Sequence, residues 1–550
     1  MAEPDPASPG LGSDADDDEA LRAAIALSLQ DQQQDSISLA TKPAHQDPQQ
    51  SETAFSLLSL NRRKMEEERL ARMARKRARS PSDDEVVEVP PPRKKSIPAP
   101  SHLNATCTDS MLPYPNGTVK RTWVRGYPRT GDDIKIEEVL QKDKLLLAML
   151  SSYQWDDDWI LSKVDTTKTR LLLAAFASDD RQKEAMRANV PPHIRFCFPR
   201  MHGPGSMHSK LQILKFAHYL RVVVPTGNLV PYDWGETGVM ENMVFLIDLP
   251  RLDKAEDHKP TTFSLELQHF LRAMGVEEKM VDSLSGYDFS KTASLGFVHT
   301  RPGGHMDESL KRVGYCGLGA TVAALGLATT VPIEVDVACA SLGSIKCDLV
   351  EAMYNACQGD DGMKEYTERT SRKPRDKHPG PSQLLKDRFR IYFPANQTVC
   401  DSRGGKAAAG TICVQAKWWR SPDFPTELVR DCVNTREGLL MHSKVIFVRK
   451  AEGSTANPHS HSNPWAGWAY VGSANLSESA WGRLVKDKKS GKAKMSCRNW
   501  ECGVLVPVHR SSNQGSNAGD LGVFQGTVPI PMQVPGRAYR SDEEPFYDGA

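Results

Sequence analysis

Met207-His208-Ser209-Lys210 and Met441-His442-Ser443-Lys444 are the same tetrapeptide, placed once in each half of the chain. Each copy opens a short apolar run, Leu211–Leu214 in the first half and Val445–Val448 in the second. A small-Asn-Leu step follows each time, Gly227-Asn228-Leu229 and Ala474-Asn475-Leu476. Further on, a Glu heads another apolar run: Glu241 before Met243–Leu246, and Glu501 before Cys502–Val506. A lone His-x-Lys is common and carries little information. A matched pair of ordered His, Lys, Asn and Glu sets points to an internal duplication. Two halves that each lack a complete site then build one at their shared face.

The sequence around the two copies alternates in the same way. Arg170–Ala177, His193–Phe198, Lys210–Phe216, Tyr219–Val224 and Met243–Leu249 are predicted strands, and Phe263–Gly275 and Glu278–Leu284 predicted helices. Leu145–Leu150, with Trp155 and Trp159, is predicted to be a helix packed on a core. The weakly polar Cys316–Pro332 reads as a buried helix or strand-turn, not as a membrane span. After Pro302 the pattern restarts through Val331–Ala338, Phe389–Phe393, Leu439–Val448 and Gly503–Val508. Lys364–Lys386 and Lys486–Lys494 read as exposed basic loops. Two α/β domains are expected, at residues 116–305 and 306–550, each a mixed sheet flanked by helices.

Residues 1–115 are rich in Ser, Pro, Gln, Asp and Arg and poor in aromatics, the composition of a disordered tail. Three islands stand out in it. An acidic run leads into Leu21, Ala24, Ile25 and Ser28 within Asp14–Gln33, spaced on one helical face, which resembles a ubiquitin-interacting motif. Basic clusters at Arg62–Arg79 and Arg93–Lys95 read as nuclear import signals, placing the protein in the nucleus. Asp83–Val89, an acidic flank beside a short valine strand, has the form of a SUMO-binding segment. The chain of 550 residues carries a net charge of +1, so its overall charge names no partner. Eleven scattered Cys with no CxxC pair read as reduced thiols, and no signal peptide is expected. His459 and His461 lie in a polar loop with no Cys or acid near, so no metal site is read there.

A doubled His-Lys-Asn set suits phosphoryl chemistry without a metal or other cofactor. Lys two residues after His on a strand shares its face. Two ammonium groups and two amides hold the non-bridging oxygens of a phosphodiester and stabilise the charge of the transition state. One neutral imidazole attacks phosphorus while the other, protonated, delivers a proton to the leaving oxygen. Each ring needs an acceptor on its far nitrogen, and Glu241 and Glu501 are the expected acceptors.

These residues are similar to the phospholipase D superfamily. An Asp that usually follows the Lys by five residues is replaced by Lys215 and Arg449, which resembles the tyrosyl-DNA phosphodiesterase branch. Pro225–Leu229, Asp233-Trp234, Gly472–Ser477, Ala480–Gly482 and Trp500–Leu505 support the resemblance, which covers the chain from about Leu145 onward. It implies two duplicated phospholipase D-like α/β/α sandwich domains related by a pseudo-two-fold axis. It also implies His208 as nucleophile, His442 as general acid and base, and Lys210, Lys444, Asn228 and Asn475 as phosphate ligands. Glu241 stands where that family usually has Gln, adding a charge beside the nucleophile. Ser341, Ser344 and Ser477 match residues that hold backbone phosphates; Tyr153 and Arg498 match positions lining the groove; Pro204 replaces a base-stacking aromatic. The implied activity is hydrolysis of a 3′-phosphotyrosyl bond between DNA, single-stranded or nicked, and a topoisomerase I remnant, by a monomer acting away from membranes.

Overall fold

The computed structural model describes residues 112–547 except 178, 204, 373–379, 452–464 and 510–520. The ubiquitin-, nucleus- and SUMO-directed segments of the tail, Pro204, His459 and His461 lie outside the described residues.

The runs of the first half form one sheet. In chain order its strands are β1 (Thr118–Thr122), β2 (Asp133–Ile134), β3 (Leu147–Ser151), β4 (Arg170–Ala174), β5 (Ile194–Cys197), β6 (Gln212–Lys215), β7 (Tyr219–Pro225) and, after the short β8 (Met240–Glu241), β9 (Met243–Pro250). They lie in the order β2-β1-β9-β7-β6-β3-β4-β5. The second half adds β10 (Gly296–Thr300), β11 (Gly303–Met306), β12 (Ile333–Ala338), β13 (Phe389–Phe393), β14 (Val429–Asp431), β15 (Leu440–Met441), β16 (Val445–Lys450), β17 (Trp465–Gly472), β18 (Arg483–Lys486), β19 (Ala493–Cys497) and β20 (Glu501–His509). Its main sheet runs β10-β20-β17-β16-β12-β13-β14.

Six strands of each sheet correspond one to one. β9-β7-β6-β3-β4-β5 matches β20-β17-β16-β12-β13-β14, and in each set the strand after the His-x-Lys pairs antiparallel with the first of three parallel strands. The duplication inferred from two tetrapeptides is therefore a duplication of the whole sheet. β10 joins the second sheet against β20, so the chain changes sheets between Pro250 and Gly296, ahead of the boundary expected at residue 305.

Strand alternation builds the layers. Met243, Phe245, Ile247 and Leu249 of β9 enter a core that also takes Val445 and Phe447 of β16, and so lies between the sheets. Val244 and Leu246 face the opposite way, toward Ile136, Val139 and Ile160 of the outer helices. Ile446 and Val448 likewise face Leu318 and Val350 of the helices Gly314–Ala324 and Cys347–Cys357. The interiors of the central strands β7, β9 and β16 are buried on both faces, which is why their runs are almost continuously apolar. The basic residues replacing the superfamily Asp have become structural in the second half: Arg449 is buried against Asp336 of β12.

Three sequence readings are corrected. Leu145–Leu150 is not a helix: Leu147–Ser151 is β3, hydrogen-bonded to both β4 and β6. A short all-apolar run has no period to distinguish the two, and the two partner strands decide it. The helix with Trp159 begins later, at Asp157–Ser162, where the Asp156 carboxylate accepts from Trp159 N–H. Lys364–Lys386 is not a plain loop, because Met363–Ser371 and Gln383–Arg388 are helical. Lys486–Lys494 is the turn of the β18–β19 hairpin, closed on Asp487 by Lys489 and Ser490 N–H groups at 3.1 and 2.9 Å. No described helix is long and apolar enough to cross a membrane.

Candidate active site

Each half ties its histidine to the other half. His208 N–H donates to Trp500 O at 3.1 Å, and His442 N–H donates to Glu241 O at 3.1 Å. The second tie continues a two-strand parallel pairing of β15 with β8, Leu440 against Met240 and Met441 against Glu241. The two His-x-Lys segments therefore meet at one end of the shared core. The electrostatics agree: Lys444 acts on His208, Lys210 acts on His442, and Lys210 and Lys444 repel each other.

His208 Nδ1–H donates to Glu501 Oε2 at 2.9 Å, which leaves Nε2 with its lone pair. Glu501 is held by the Ser473 hydroxyl and by Asn499 Nδ2 at 3.0 Å. Burial, opposed by Glu501 and assisted by the two lysines, pushes His208 below the usual imidazole range, so at neutral pH the ring is uncharged. Of the two expected acceptors, Glu501 is the one that faces this ring, and it comes from the opposite half.

Glu241 is not the acceptor for an imidazole. His442 Nδ1–H faces Asp233, at 3.0 and 3.1 Å from its two oxygens. Asp233 is oriented by Asn228 N–H at 2.6 Å and Asn242 Nδ2 at 3.0 Å. Burial opposes its charge, but the His442 and Lys444 side chains and the Asn228 N–H hold its carboxyl below the ordinary range. Glu241 turns away, pairing with Arg121 through bonds of 2.8 to 3.0 Å and with Arg436 at 3.3 Å.

The reason is a register slip of one residue. Thr226 Oγ donates to Asn242 Oδ1 at 2.8 Å and accepts from Met243 N–H at 2.9 Å. In the second half Ser473 Oγ donates to Glu501 and accepts from Cys502 N–H at 3.0 Å. The structural counterpart of Glu501 is therefore Asn242, and Glu241 corresponds to Trp500. One position along a strand reverses the face, so Glu241 lies on the outside of the site. Glu241 therefore adds no charge beside His208, whose carboxylate partner is Glu501, and Asn242 instead donates to Asp233, the partner of His442. Asp233 carries a weak sequence signal, since Ala480 occupies the same offset from Asn475 and the comparison of the two copies conceals it.

Lys210 and Lys444 are buried, 1% and 0% exposed, and their ammonium groups meet only carbonyl oxygens at close range. Lys210 Nζ donates to His208 O at 3.0 Å, and Lys444 Nζ to His442 O and to Thr226 O at 3.4 Å. Burial pushes Lys210 down to about 8 and, with repulsion from Lys210, Lys444 well below its usual value. His442 is pushed down to about 4 by burial, against the pull of Asp233. Every cationic group of the site is thus destabilised until an anion enters, and a phosphodiester oxygen cluster supplies one.

The remaining residues form the rim. Asn475 Oδ1 accepts from Ala340 and Ser341 N–H at 3.3 and 3.2 Å, and Asn228 Oδ1 from Gln154 N–H at 3.3 Å, the same device in both halves. Leu342 bridges Leu476, which sets Ser341 and half-buried Ser344 beside Asn475 and Ser477. A side chain at Gly343 would meet Ser477 Cβ at 2.7 Å, so only glycine allows that approach. The exposed Tyr153 ring lies 5.3 Å from the His208 ring. Arg498 passes its backbone against Gly205, just upstream of His208. Among the described residues no group of three or more His, Cys, Asp or Glu is placed to hold a metal ion.

Two sheets with a crossed pair of His-x-Lys segments define a phospholipase D-like protein. The chain belongs to the tyrosyl-DNA phosphodiesterase family, whose profile matches residues 118–540. It is similar to tyrosyl-DNA phosphodiesterase 1 of Arabidopsis thaliana, 24% identical over 431 residues, covering 74% of this chain and 64% of that protein. It also resembles a probable tyrosyl-DNA phosphodiesterase of Caenorhabditis elegans, 22% identical over 495 residues, 84% of this chain and 95% of the relative. The chain thus spans slightly under two thirds of the plant relative and nearly all of the nematode one. A crystal structure of the yeast tyrosyl-DNA phosphodiesterase superposes with a TM-score of 0.55 at 18% identity, covering 78% of this chain and 99% of the yeast chain. The expected α/β/α sandwich pair is the fold observed.

Proposed function

We propose that the chain hydrolyses the 3′-phosphotyrosyl bond joining DNA to a topoisomerase I remnant, and related 3′ adducts, as a DNA-repair phosphodiesterase. The observation that carries the reading is the crossed arrangement of two imidazoles, each fixed by a carboxylate through Nδ1, above two buried ammonium groups with carbonyl partners only.

Entry of the phosphodiester anion reverses the penalty on the cations and raises His442 toward protonation. His208 Nε2 attacks phosphorus in line, the bond from phosphorus to the tyrosyl oxygen breaks, and His442 Nε2–H gives its proton to that oxygen. Neutral His442 then takes a proton from water, the hydroxide attacks phosphorus, and His208 departs, leaving a DNA 3′-phosphate. Lys210, Lys444, Asn228 and Asn475 hold the non-bridging oxygens through both steps. The Ser341, Ser344 and Ser477 rim grips backbone phosphates, with Tyr153 and Arg498 on the His208 side. Nuclear residence, ubiquitin binding through Leu21, Ala24, Ile25 and Ser28, and a SUMO contact complete the proposal from the tail.

The test is cleavage of a 3′-phosphotyrosyl oligonucleotide in the presence of a metal chelator, against unmodified oligonucleotide and phosphatidylcholine. Release of tyrosine from the first substrate alone is the expected result. Equal turnover of unmodified DNA or of the lipid overturns the reading.

A further inference from the structure

We propose that Arg301, Arg312, His269 and His299 form a second anion subsite, outside the catalytic cleft, that binds a phosphate group. His299 and Arg301 are two residues apart at the end of β10 and so share a face, turned toward the helix Thr262–Met274. On that helix His269 lies 5.9 Å and Phe270 5.3 Å from the His299 ring, and Phe270 rests on Trp500 at 5.5 Å. Thr300, between the two, is the β-partner of Glu501, which fixes His208. The group is thus built onto the back of the catalytic wall.

Its hydrogen bonds do not close. Arg301 Nε, His299 Nδ1 and His269 Nε2 are all buried and have no partner, three nitrogens from three side chains on two elements. A buried guanidinium N–H is rarely left without an acceptor, and the two ring nitrogens beside it become donors once an anion favours protonation of their imidazoles. The charges do not close either. Glu266 is the acid facing the group, and it is already engaged by Arg312, through Nε at 3.1 Å to both oxygens and Nη2 at 2.8 Å, and by His299 at 3.2 Å. No carboxylate among the described residues forms an ion pair with Arg301, whose charge is disfavoured by burial and by Arg312. Burial and both arginines push His269 down to about 4.

His305 Nε2–H donates to Arg301 O at 3.0 Å and pins the backbone, and Cys497 lies near enough to act on the Arg301 charge. A multi-oxygen anion answers both deficits at once: it accepts from the orphaned nitrogens and pairs with the excess guanidinium. Met201 and His202 precede the His208 strand, and a side chain built at Gly303 would lie 3.7 Å from His202, so that segment neighbours the group on the same wall. A strand leaving the cleft on the His208 side brings backbone phosphates to it. In that form the inference rests on the function proposed above; for inorganic phosphate it does not.

The experiment uses the described protein with its tail and reads binding, not turnover, so failure of the proposed reaction leaves it interpretable. Imidazole proton–nitrogen spectra are followed while inorganic phosphate is added to wild type and to Arg301→Gln. Separately, binding of a decanucleotide and a dinucleotide, both with 3′-phosphate ends, is measured against salt. The expected result is that phosphate moves the His269 and His299 signals in wild type only. The variant then binds the decanucleotide more weakly, with a salt slope smaller by about one, and the dinucleotide unchanged. Signals that move with no change in the slope support a site for free phosphate in place of a strand. Wild-type signals unmoved by phosphate overturn the inference, whatever the variant does.

Discussion

Replacing Asp233 by Asn removes the carboxylate that His442 Nδ1 faces at 3.0 and 3.1 Å and keeps the side-chain volume. At roughly 4 Å between charge centres, a pair at an effective dielectric of about 20 interacts by about 4 kcal/mol. A hydrogen bond to a charged group contributes about 1.5–3 kcal/mol in practice, and the lower figure includes solvent and relaxation. Asn also cannot accept at both oxygens, so the 2.6 Å bond from Asn228 N–H or the bond from the imidazole is lost. Taking about 2–3 kcal/mol, kcat/KM falls by about 30- to 150-fold at 1.36 kcal/mol per tenfold. In the proposed mechanism the loss depends on the leaving group, because His442 gives a proton to it. The assay compares a thymidine 3′-phosphodiester of nitrophenol with one of an alkyl alcohol. The alkyl ester takes the full loss and the nitrophenyl ester little, since nitrophenolate leaves without a proton. The carboxylate raises the pKa of His442, so its removal also moves the alkaline limb of kcat/KM to lower pH. Equal losses for the two esters, or a limb that stays or moves upward, refute the assignment of Asp233 as the positioning residue of the acid.

Glu241→Gln leaves Arg121 and Arg436 converging on a neutral group and costs about 3–5 kcal/mol of stability, read by urea unfolding, with a smaller effect on kcat than Asp233→Asn. His442→Asn keeps the nucleophile but no base for the second step, so a protein–DNA adduct accumulates and is seen as a gel shift; adding His208→Ala removes it. Stability falls on acidification: the folded His442 pKa of about 4 lies below the unfolded value of about 6.5. Between those pH values the unfolded chain binds a proton that the folded chain does not. This residue then contributes a slope of up to about 1.4 kcal/mol per pH unit, and none above pH of about 7, measured by denaturant unfolding at each pH.

The two tetrapeptides, the Asn steps and the restarting run of strands point to the doubled fold and pick out both His-x-Lys pairs and Glu501 as residues of one site, because spacing along a strand survives any arrangement of strands in space. What lay beyond the sequence is the register between strands. β3 was ambiguous because a run buried on both faces has no alternation to read. Glu241 was misassigned because two adjacent polar residues, Glu241 and Asn242, differ only in which face each takes, and Thr226 across the sheet decides it. Asp233 serves a histidine 209 residues away in the chain. Only the docking of one half on the other brings that carboxylate to that ring, since no local pattern links residues whose sole relation is to meet across the interface.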